Sequence, residues 1–259
     1  MRQTEIATKI LADRAGLETG EVHVWNAPLA AECDTGELSK LLEPEERGRA
    51  AAFAFDLDRI RYVHSHGVLR QVLSRYTDRE PGRLVFARSR HQKPRLVREQ
   101  REDPNLHFSL SHSNRCCLVA VRVGSPVGVD VEQLRDVPEA ASIARRWLTR
   151  AESDALARLS GAALQRAFFG LWTHREAVIK ALGANLEIGL RQLECALDPA
   201  GTVRLVSWRG DEEIARRWRV RRLEPVEGYL GALATLKHFD SLRCLTWDGD
   251  ASAEATAGG

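Results

Sequence analysis

The sequence predicts an α+β protein built from two similar lobes. In each half of the chain, stretches of helical periodicity and short apolar strands occur in an order that is typical of α+β folds. With 259 residues, of which 44% are apolar and 29% charged, the chain has an ordinary globular composition. This composition excludes the disordered, collagen-like and disulfide-scaffold classes. Sequence identity reveals no internal repeat, so the two halves resemble each other only in pattern.

The first half predicts a leading strand, a basic helical region and several short strands. Alternation of Val22 and Val24 predicts the first strand, which Pro28 ends. Apolar residues then recur at near-helical spacing between interleaved arginines, which predicts an amphipathic pair of helices with a basic flank. The predicted elements are a strand at 21–30, helices within 44–76, short strands within 83–97, and strands at 116–123 and 127–131.

The second half predicts two helices followed by an antiparallel meander. Gly183 stands where a left-handed residue commonly ends a helix, and turn-forming residues separate the later strands. The predicted elements are helices at 139–160 and 162–183 and strands at 191–197, 202–208, 215–223 and 228–236. The predicted divisions are an N-terminal extension (1–20), an N-terminal lobe (21–124), a C-terminal lobe (125–247) and a disordered tail (248–259).

Charge, cysteine content and hydropathy define the expected environment of the protein. Lys and Arg number 38 against 36 Asp and Glu, so the chain is nearly neutral at +2. Its five cysteines form no Cys-x-x-Cys pair, and we expect them to be reduced. The sequence contains no apolar run of the roughly 18 residues that a membrane span needs, and its first residues contain no apolar core of a secretory signal. We therefore expect a cytoplasmic protein that does not interact with membranes.

The stretch Gly128-Val129-Asp130-Val131-Glu132 presents two carboxylates from one strand. Alternation along a strand places Asp130 and Glu132 on the same side, opposite the valines. Two neighbouring carboxylates repel each other unless a cation lies between them, and hard oxygen donors suit Mg²⁺. The alternative interpretation is a strand end that runs into a solvated loop.

A second candidate site lies on the predicted helix that contains Trp172, Glu176 and Lys180. Their i, i+4, i+8 spacing aligns an aromatic ring, an acid and a base on one face. The alternative is an ordinary surface Glu–Lys pair, which stabilises a helix by a few tenths of a kcal/mol. Taken with the strand carboxylates, however, this face suggests a combined metal and phosphate site.

The segment Ser109-Leu110-Ser111-His112-Ser113 offers hydroxyls and an imidazole at the end of a strand. A phosphate contact explains these groups better than a hydrolase triad, because triad residues are distant in sequence and no G-x-S-x-G motif occurs. P-loop and Rossmann glycine motifs are also absent from the sequence.

These motifs, in this order, resemble the 4′-phosphopantetheinyl transferases, and specifically their long, two-lobed, Sfp-like branch. The resemblance rests on SLSHS (109–113), VGVDVE (127–132) and LWTHREAVIKALG (171–183). It extends to EERGRAAAFAFDLDRIRY (45–62), QKP (92–94) and EGYLGALA (227–234). The family fold implies two pseudo-symmetric α/β lobes with the substrate coenzyme A in the cleft between them.

The resemblance implies transfer of the 4′-phosphopantetheine arm of coenzyme A to a serine of an acyl or peptidyl carrier protein. The products would be the holo carrier and 3′,5′-ADP, and the carriers would serve polyketide, nonribosomal peptide or fatty acid biosynthesis. Carried over from the family, Asp130, Glu132 and Glu176 would be ligands of Mg²⁺, with Mn²⁺ as a substitute. Glu176 would also take the serine proton, and Lys180 would neutralise the leaving diphosphate. Asp130, Glu176 and Lys180 are thus the predicted catalytic residues.

The resemblance also implies a set of coenzyme A contacts. His112 and Ser111 would hold phosphate oxygens, a cluster of cations would hold the 3′-phosphate and adenine end, and Pro94 would shape the nucleotide pocket. The predicted cations are Arg47, Arg49, Arg61 and Lys93, with Arg175 and Lys180 also among the coenzyme A contacts. The sequence departs from the family pattern at Arg175, where lysine is usual, at Gln92, where glycine is common, and at Ser109, where asparagine is common.

Two other functions stay open at this point. The segment ARRWRVRR (215–222) could belong to a nucleic-acid-binding strand, although an exposed basic face is the commoner explanation. A coenzyme A binder without catalysis is the second, but such a protein needs no carboxylate cage. We therefore expect a monomeric enzyme whose partners are coenzyme A and carrier proteins, and not nucleic acid.

Overall fold

A computed structural model describes residues 16–29, 35–88, 93–98, 105–184, 189–190, 192–198, 202–247 and 249. These residues form two compact units. The first unit contains the described residues up to Ala87, Pro94–Gly124 and those from Asp240 onward, and the second contains Arg88, Lys93 and Ser125–Phe239. Each unit combines helices with antiparallel strand pairs, as predicted for an α+β protein.

The first unit packs a long helix against a four-stranded sheet. The sheet has the order β11-β1-β5-β4, in which β1 pairs with β11 in parallel and with β5 in antiparallel orientation. The long helix α3 buries Leu69 and Val72 in the same core as Trp25 of β1 and Val119 of β5. Its strands are β1 (Glu21–Pro28), β2 (Phe86–Arg88), β3 (Pro94–Leu96), β4 (Leu106–Ser113), β5 (Cys116–Val123) and β11 (Ser241–Thr246), and its helices are α1 (Gly36–Leu41), α2 (Pro44–Ala51) and α3 (Asp56–Ser74).

The second unit packs its own long helix, α6, against a three-stranded sheet of order β6-β10-β9. A separate hairpin, β7-β8, adjoins the same helix. Helix α6 ends at Gly183, whose φ of 63° is the left-handed conformation expected there. The helices are α4 (Ala140–Trp147), α5 (Arg150–Leu156), α6 (Gly161–Leu182) and α7 (Glu212–Arg216), and the strands are β6 (Val127–Gln133), β7 (Leu193–Leu197), β8 (Val203–Trp208), β9 (Trp218–Leu223) and β10 (Tyr229–Leu236).

The structure corrects several predicted elements. The strand predicted at 215–223 begins at Trp218, because Asp211 caps a short helix through its side chain and the chain is helical to Arg216. The predicted meander divides into two sheets, since β7 and β8 form a separate two-stranded sheet among the described residues. The predicted C-terminal lobe, 125–247, is too long, because β11 returns to pair with β1 of the first unit. Helix α1 and strand β11 were not predicted.

A glycine on β6 lets helix α6 lie directly on the sheet. A Cβ at Gly128 would stand 2.0 Å from the Ala177 carbonyl oxygen and 2.4 Å from the Ala181 amide nitrogen. The strand residues paired with Gly128 and Asp130 on β10 are Ala234 and Ala232, so the surface beneath the helix consists of small side chains. The close approach brings the helix backbone against the same side of β6 that carries Asp130.

A buried ion pair fastens α6 to its neighbours. Arg175 is fully buried, and its guanidinium donates to both carboxylate oxygens of Glu152 on α5 and to the Leu190 carbonyl. Glu152 also accepts hydrogen bonds from the backbone amides of Thr149 and Cys195, at 2.7 Å each. Arg175, which was predicted to contact coenzyme A, therefore has its side chain enclosed and hydrogen-bonded within the second unit.

The same device recurs in the first unit. Arg70 of α3 is fully buried and donates to Glu46 of α2 at 2.8 Å and to the Leu84 carbonyl at 2.8 Å. In each unit the glutamate is the third residue of a short helix and closes a capping box, here with Glu43. Each arginine also reaches a carbonyl that follows its own long helix. The two lobes therefore share one fastening, which sequence identity alone did not reveal.

We predict that Gly128→Ala lowers the free energy of unfolding by about 2 kcal/mol or more, because the new methyl group would overlap backbone atoms of α6 that cannot rotate away. Denaturant unfolding followed by circular dichroism measures this loss. Gly48→Ala is the matched control, since Gly48 lies within α2 with open space around it and should gain roughly 0.5–1 kcal/mol from helix propensity. Equal effects of the two changes would contradict the close approach.

A second prediction concerns the buried ion pair. Arg175→Lys should lower the free energy of unfolding by about 1–3 kcal/mol, because one ammonium cannot serve both carboxylate oxygens and the Leu190 carbonyl. Arg150→Lys provides the control. The Arg150 side chain is 96% exposed, and its distance of 3.8 Å from Asp154 makes this a loose surface ion pair. If both variants unfold at the same denaturant concentration, the pair does not fasten the unit.

Candidate active site

The site in the second unit is built from β6 and α6. The Lys180 ammonium donates to Asp130 Oδ1 at 2.6 Å and lies 3.7 Å from Glu176 Oε2. Asp130 is only 2% exposed, whereas the Lys180 side chain is 30% exposed, so the pair is buried on its carboxylate side and open to solvent on its ammonium side. The structure thus brings together the strand carboxylate and the helix pair that the sequence placed about 50 residues apart.

Burial and charge oppose each other at this cluster. Burial, followed by repulsion from Asp130, raises the pKa of Glu176 to about 7, despite the attraction of Lys180. Burial disfavours the charged form of Lys180, but the carboxylates of Asp130 and Glu176 outweigh it and raise its pKa. The cluster therefore contains more negative charge than Lys180 alone can offset, and one member titrates near neutral pH.

Two further side chains surround these residues. Trp172 makes a side-chain hydrogen bond to Glu176 and stacks on Phe168, with ring centroids 6.2 Å apart. Glu132, the other predicted strand carboxylate, is 3.5 Å from Arg135 and close enough to Glu176 to help raise its pKa.

In the part of the chain that the structure describes, no group of three or more His, Cys, Asp and Glu side chains is arranged to hold a metal ion.

Lys93 occupies a different place from the one expected of a phosphate ligand. Its ammonium donates to the carbonyls of Lys180 at 2.6 Å, Val127 at 3.2 Å and Ala181 at 3.3 Å. Two of these carbonyls belong to the last turn of α6, where a cation also complements the helix dipole. Lys93 therefore ties the end of α6 to the start of β6.

The remaining predicted substrate contacts lie in the first unit. Arg61 of α3 donates to Asn114 Oδ1 at 2.5 Å and to Asp58 at 3.2 Å. Arg61, His112 and Asn114 line one small pocket with several neighbours, whereas Ser111 is buried on β4 beside His112. Arg47 donates to the Leu42 carbonyl, Arg49 pairs with Glu45, and Pro94 begins β3.

Sequence reasoning missed three residues that border these sites. His64 lines the first-unit pocket, Asn114 holds Arg61, and Arg135 faces Glu132. Asn114 had a recognisable signature, since it occupies the turn of the β4–β5 hairpin with a φ of 47°, a conformation that asparagine tolerates. His64 gave no signature, because only tertiary packing brings it to the pocket. Arg135 is three residues from Glu132, and that spacing could have indicated it.

Two family models match the chain. The model of the 4′-phosphopantetheinyl transferase superfamily matches residues 126–234, and the model described as 4′-phosphopantetheinyl transferase, N-terminal, matches residues 25–124. Their junction coincides with the boundary between Gly124 and Ser125 that separates the two units.

Individual relatives agree with the family models. The 4′-phosphopantetheinyl transferase HetI of Nostoc sp. is 32% identical over 84% of this chain and 89% of the relative. The 4′-phosphopantetheinyl transferase Sfp of Bacillus subtilis is 28% identical over 68% of this chain and 75% of the relative. A holo-(acyl-carrier-protein) synthase from Bacillus anthracis, solved in complex with coenzyme A, covers 44% of this chain at 19% identity, with a TM-score of only 0.35. The chain therefore belongs to the 4′-phosphopantetheinyl transferase superfamily, a family of enzymes, and to its Sfp-like branch.

Proposed function

We propose that the protein transfers the 4′-phosphopantetheine arm of coenzyme A to a serine of an apo acyl or peptidyl carrier protein. Family membership supports the reaction class. The observation that carries the assignment is the cluster of Asp130, Glu176 and Lys180, in which Lys180 reaches Asp130 at 2.6 Å. A protein that only binds coenzyme A has no use for a buried carboxylate whose pKa is close to 7.

The proposed step is an in-line displacement at phosphorus. The serine Oγ bonds to the phosphorus that carries the pantetheine, the bond from that phosphorus to the bridging oxygen breaks, and 3′,5′-ADP leaves with the electron pair. Glu176 accepts the serine proton, because its carboxylate lies beside Asp130 and Lys180 at the proposed reaction centre. Lys180 offsets charge that grows on the leaving diphosphate, and Trp172 orients the Glu176 carboxylate.

We propose that the same carboxylates hold Mg²⁺. The donor set fits a hard cation, because Asp130, Glu132 and Glu176 supply only oxygen donors, and burial, followed by repulsion from Asp130, raises the pKa of Glu176. When bound, the cation would neutralise charge on the diphosphate. Lys180 and Arg135 now face Asp130 and Glu132, so cation binding would have to compete with these two side chains.

The proposed coenzyme A contacts are the basic and polar residues that the family resemblance implies. Arg61 and His112 share a pocket and are proposed to hold the nucleotide phosphate. Further proposed contacts are Ser111, Pro94, Arg47 and Arg49. The contribution of Lys93 to this site is indirect, because its ammonium donates to three carbonyls at the start of β6 and the end of α6.

The described residues contain no helix that is long and apolar enough to cross a membrane. We propose that the enzyme acts as a cytoplasmic monomer on acidic carrier domains.

The test of the proposal is a modification assay. Purified protein is incubated with coenzyme A, Mg²⁺ and an apo carrier protein, and mass spectrometry follows attachment of the 4′-phosphopantetheine arm to the carrier serine. An unmodified carrier, after several carriers of acyl and peptidyl type have been tried, would contradict the proposal. A modified carrier without release of 3′,5′-ADP would contradict the proposed bond cleavage.

Glu176→Gln should lower kcat by about 100-fold or more, because the amide keeps the shape of the side chain but cannot accept the serine proton. Lys180→Ala should also lower kcat, with a smaller effect on the KM for coenzyme A. Turnover and thermal midpoint are measured for both variants. Glu212→Gln is the control, since Glu212 forms an exposed i, i+4 pair with Arg216 in the same unit. A Glu176 or Lys180 variant that behaves like this control, with turnover intact and stability reduced by about 0.3–0.5 kcal/mol, would leave the pair a purely structural one.

Magnesium should raise the thermal midpoint of the wild-type protein by about 2–4 °C, because a ligand that binds only the folded state stabilises it. Differential scanning fluorimetry measures this shift against KCl at equal ionic strength. Asp130→Asn should abolish the shift, since the amide removes one of the three negative charges. An equal shift in wild type and Asp130→Asn would place the cation elsewhere.

A further inference from the structure

The last turn of helix α6 carries Lys180 and ends in backbone carbonyls that need hydrogen-bond donors. The amide of Ala184 donates to the Ile179 carbonyl and the amide of Gly183 donates to the Lys180 carbonyl, each at 3.2 Å. This pair of bonds is the Schellman motif that commonly closes a helix at a left-handed glycine. The motif does not serve the Ala181 carbonyl, which is one of the last four of the helix. The end of α6 therefore depends on a donor from outside the helix.

Lys93 supplies that donor from another segment of the second unit. Its ammonium carries three N–H groups, and it donates to the carbonyls of Lys180 at 2.6 Å, Val127 at 3.2 Å and Ala181 at 3.3 Å. The stem of the side chain lies over Gly183, where an added Cβ would stand 3.1 Å from Lys93 Cδ. One side chain thus covers the closing motif and joins it to the first residue of β6.

From these contacts, and resting on the proposed function, we infer that Lys93 is a positioning residue for the transfer reaction. It holds the turn that carries Lys180 against β6, three residues before Asp130 on that strand. The Lys180 ammonium lies 2.6 Å from Asp130 Oδ1, so a small movement of the turn would separate the two groups. A misplacement of about 1 Å in a reacting group can slow a reaction by about 100-fold.

The surroundings of Lys93 favour this role over direct contact with coenzyme A. Val127 and Ala181 are 0% and 4% exposed, so water has little access to the carbonyls that Lys93 serves. An ammonium that turned towards a phosphate oxygen would leave at least one of these carbonyls without this donor, which is unfavourable in a buried place. Lys93 therefore acts through the backbone of α6 and β6.

Amide hydrogen exchange followed by NMR tests the positioning without carrier, coenzyme A or metal. Lys93→Met keeps a long stem but removes the ammonium. It should speed exchange of the Gly183 and Ala184 amides by about tenfold or more, because these amides close the motif that Lys93 covers. Lys93→Arg retains a charged donor and should exchange more slowly at these amides than Lys93→Met. Exchange within α3 of the first unit should not change.

Steady-state kinetics tests the consequence for the reaction, at a temperature well below the thermal midpoint of each variant. Lys93→Met should lower kcat by about tenfold while the KM for coenzyme A stays within about twofold of wild type, because Lys180 is misplaced and no substrate contact is lost. Lys93→Arg should recover part of the lost kcat. Lys237→Met is the matched control, since Lys237 is an exposed lysine of the same unit and should match wild type in both experiments.

Unchanged exchange at Gly183 and Ala184 in Lys93→Met, or an unchanged kcat, would overturn the inference. A KM for coenzyme A that rises as much as kcat was expected to fall would also overturn it, because Lys93 would then contact the substrate. If Lys93→Met fails to fold, Lys93→Gln replaces it with the same expected directions. A wild-type protein that modifies no carrier would refute the proposed function, and the exchange experiment would then decide by itself whether Lys93 holds the end of α6.

Discussion

The close contact between helix α6 and Gly128 is the constraint on which the candidate active site depends. Any side chain at this strand position would push the helix away, since a Cβ there would stand 2.0 Å from the Ala177 carbonyl oxygen. Because the helix lies directly on β6, Lys180 can reach Asp130 two residues along the strand. Lys93 donates to the Val127 carbonyl of β6 and to the Lys180 carbonyl of α6, and so stabilises the same contact between strand and helix. The chemistry of the site is thus a consequence of backbone packing.

Fixed packing also explains the electrostatics. The carboxylates of the site cannot move apart, because one belongs to a paired strand and another to a helix seated on that strand. Burial and repulsion from Asp130 therefore raise the pKa of Glu176 instead of being relieved by motion. A mobile loop would have relaxed and returned its carboxyl group to an ordinary pKa. Rigid elements let the protein maintain a carboxyl group that titrates near neutral pH.

The repeated arginine–glutamate fastening relates the two units and also shows where they differ. Glu176 and Lys180 stand one and five residues after Arg175, whereas Gln71 and Arg75 stand one and five residues after Arg70. Gln71 accepts a hydrogen bond from Trp247 at 2.9 Å, and the Arg75 guanidinium lies 4.9 Å from the Trp25 ring centroid. In the first unit, Gln71 and Arg75 thus contact tryptophan rings, whereas Lys180 of the second unit contacts carboxylates. On this shared scaffold, the second unit carries the cluster of Asp130, Glu176 and Lys180.

Local sequence patterns determined much of this protein. Alternation placed Asp130 and Glu132 on one side of a strand, helical spacing aligned Glu176 with Lys180, and Gly183 ended α6 as expected, because each of these relations involves neighbours in the chain. Only the tertiary structure decided which distant residues meet. It enclosed Arg175 with Glu152 instead of exposing it to substrate, returned β11 to the first sheet, and brought His64 beside Arg61 and His112. Such contacts join residues far apart in sequence. Local periodicity cannot predict them, because the free energy of packing depends on the whole assembled core.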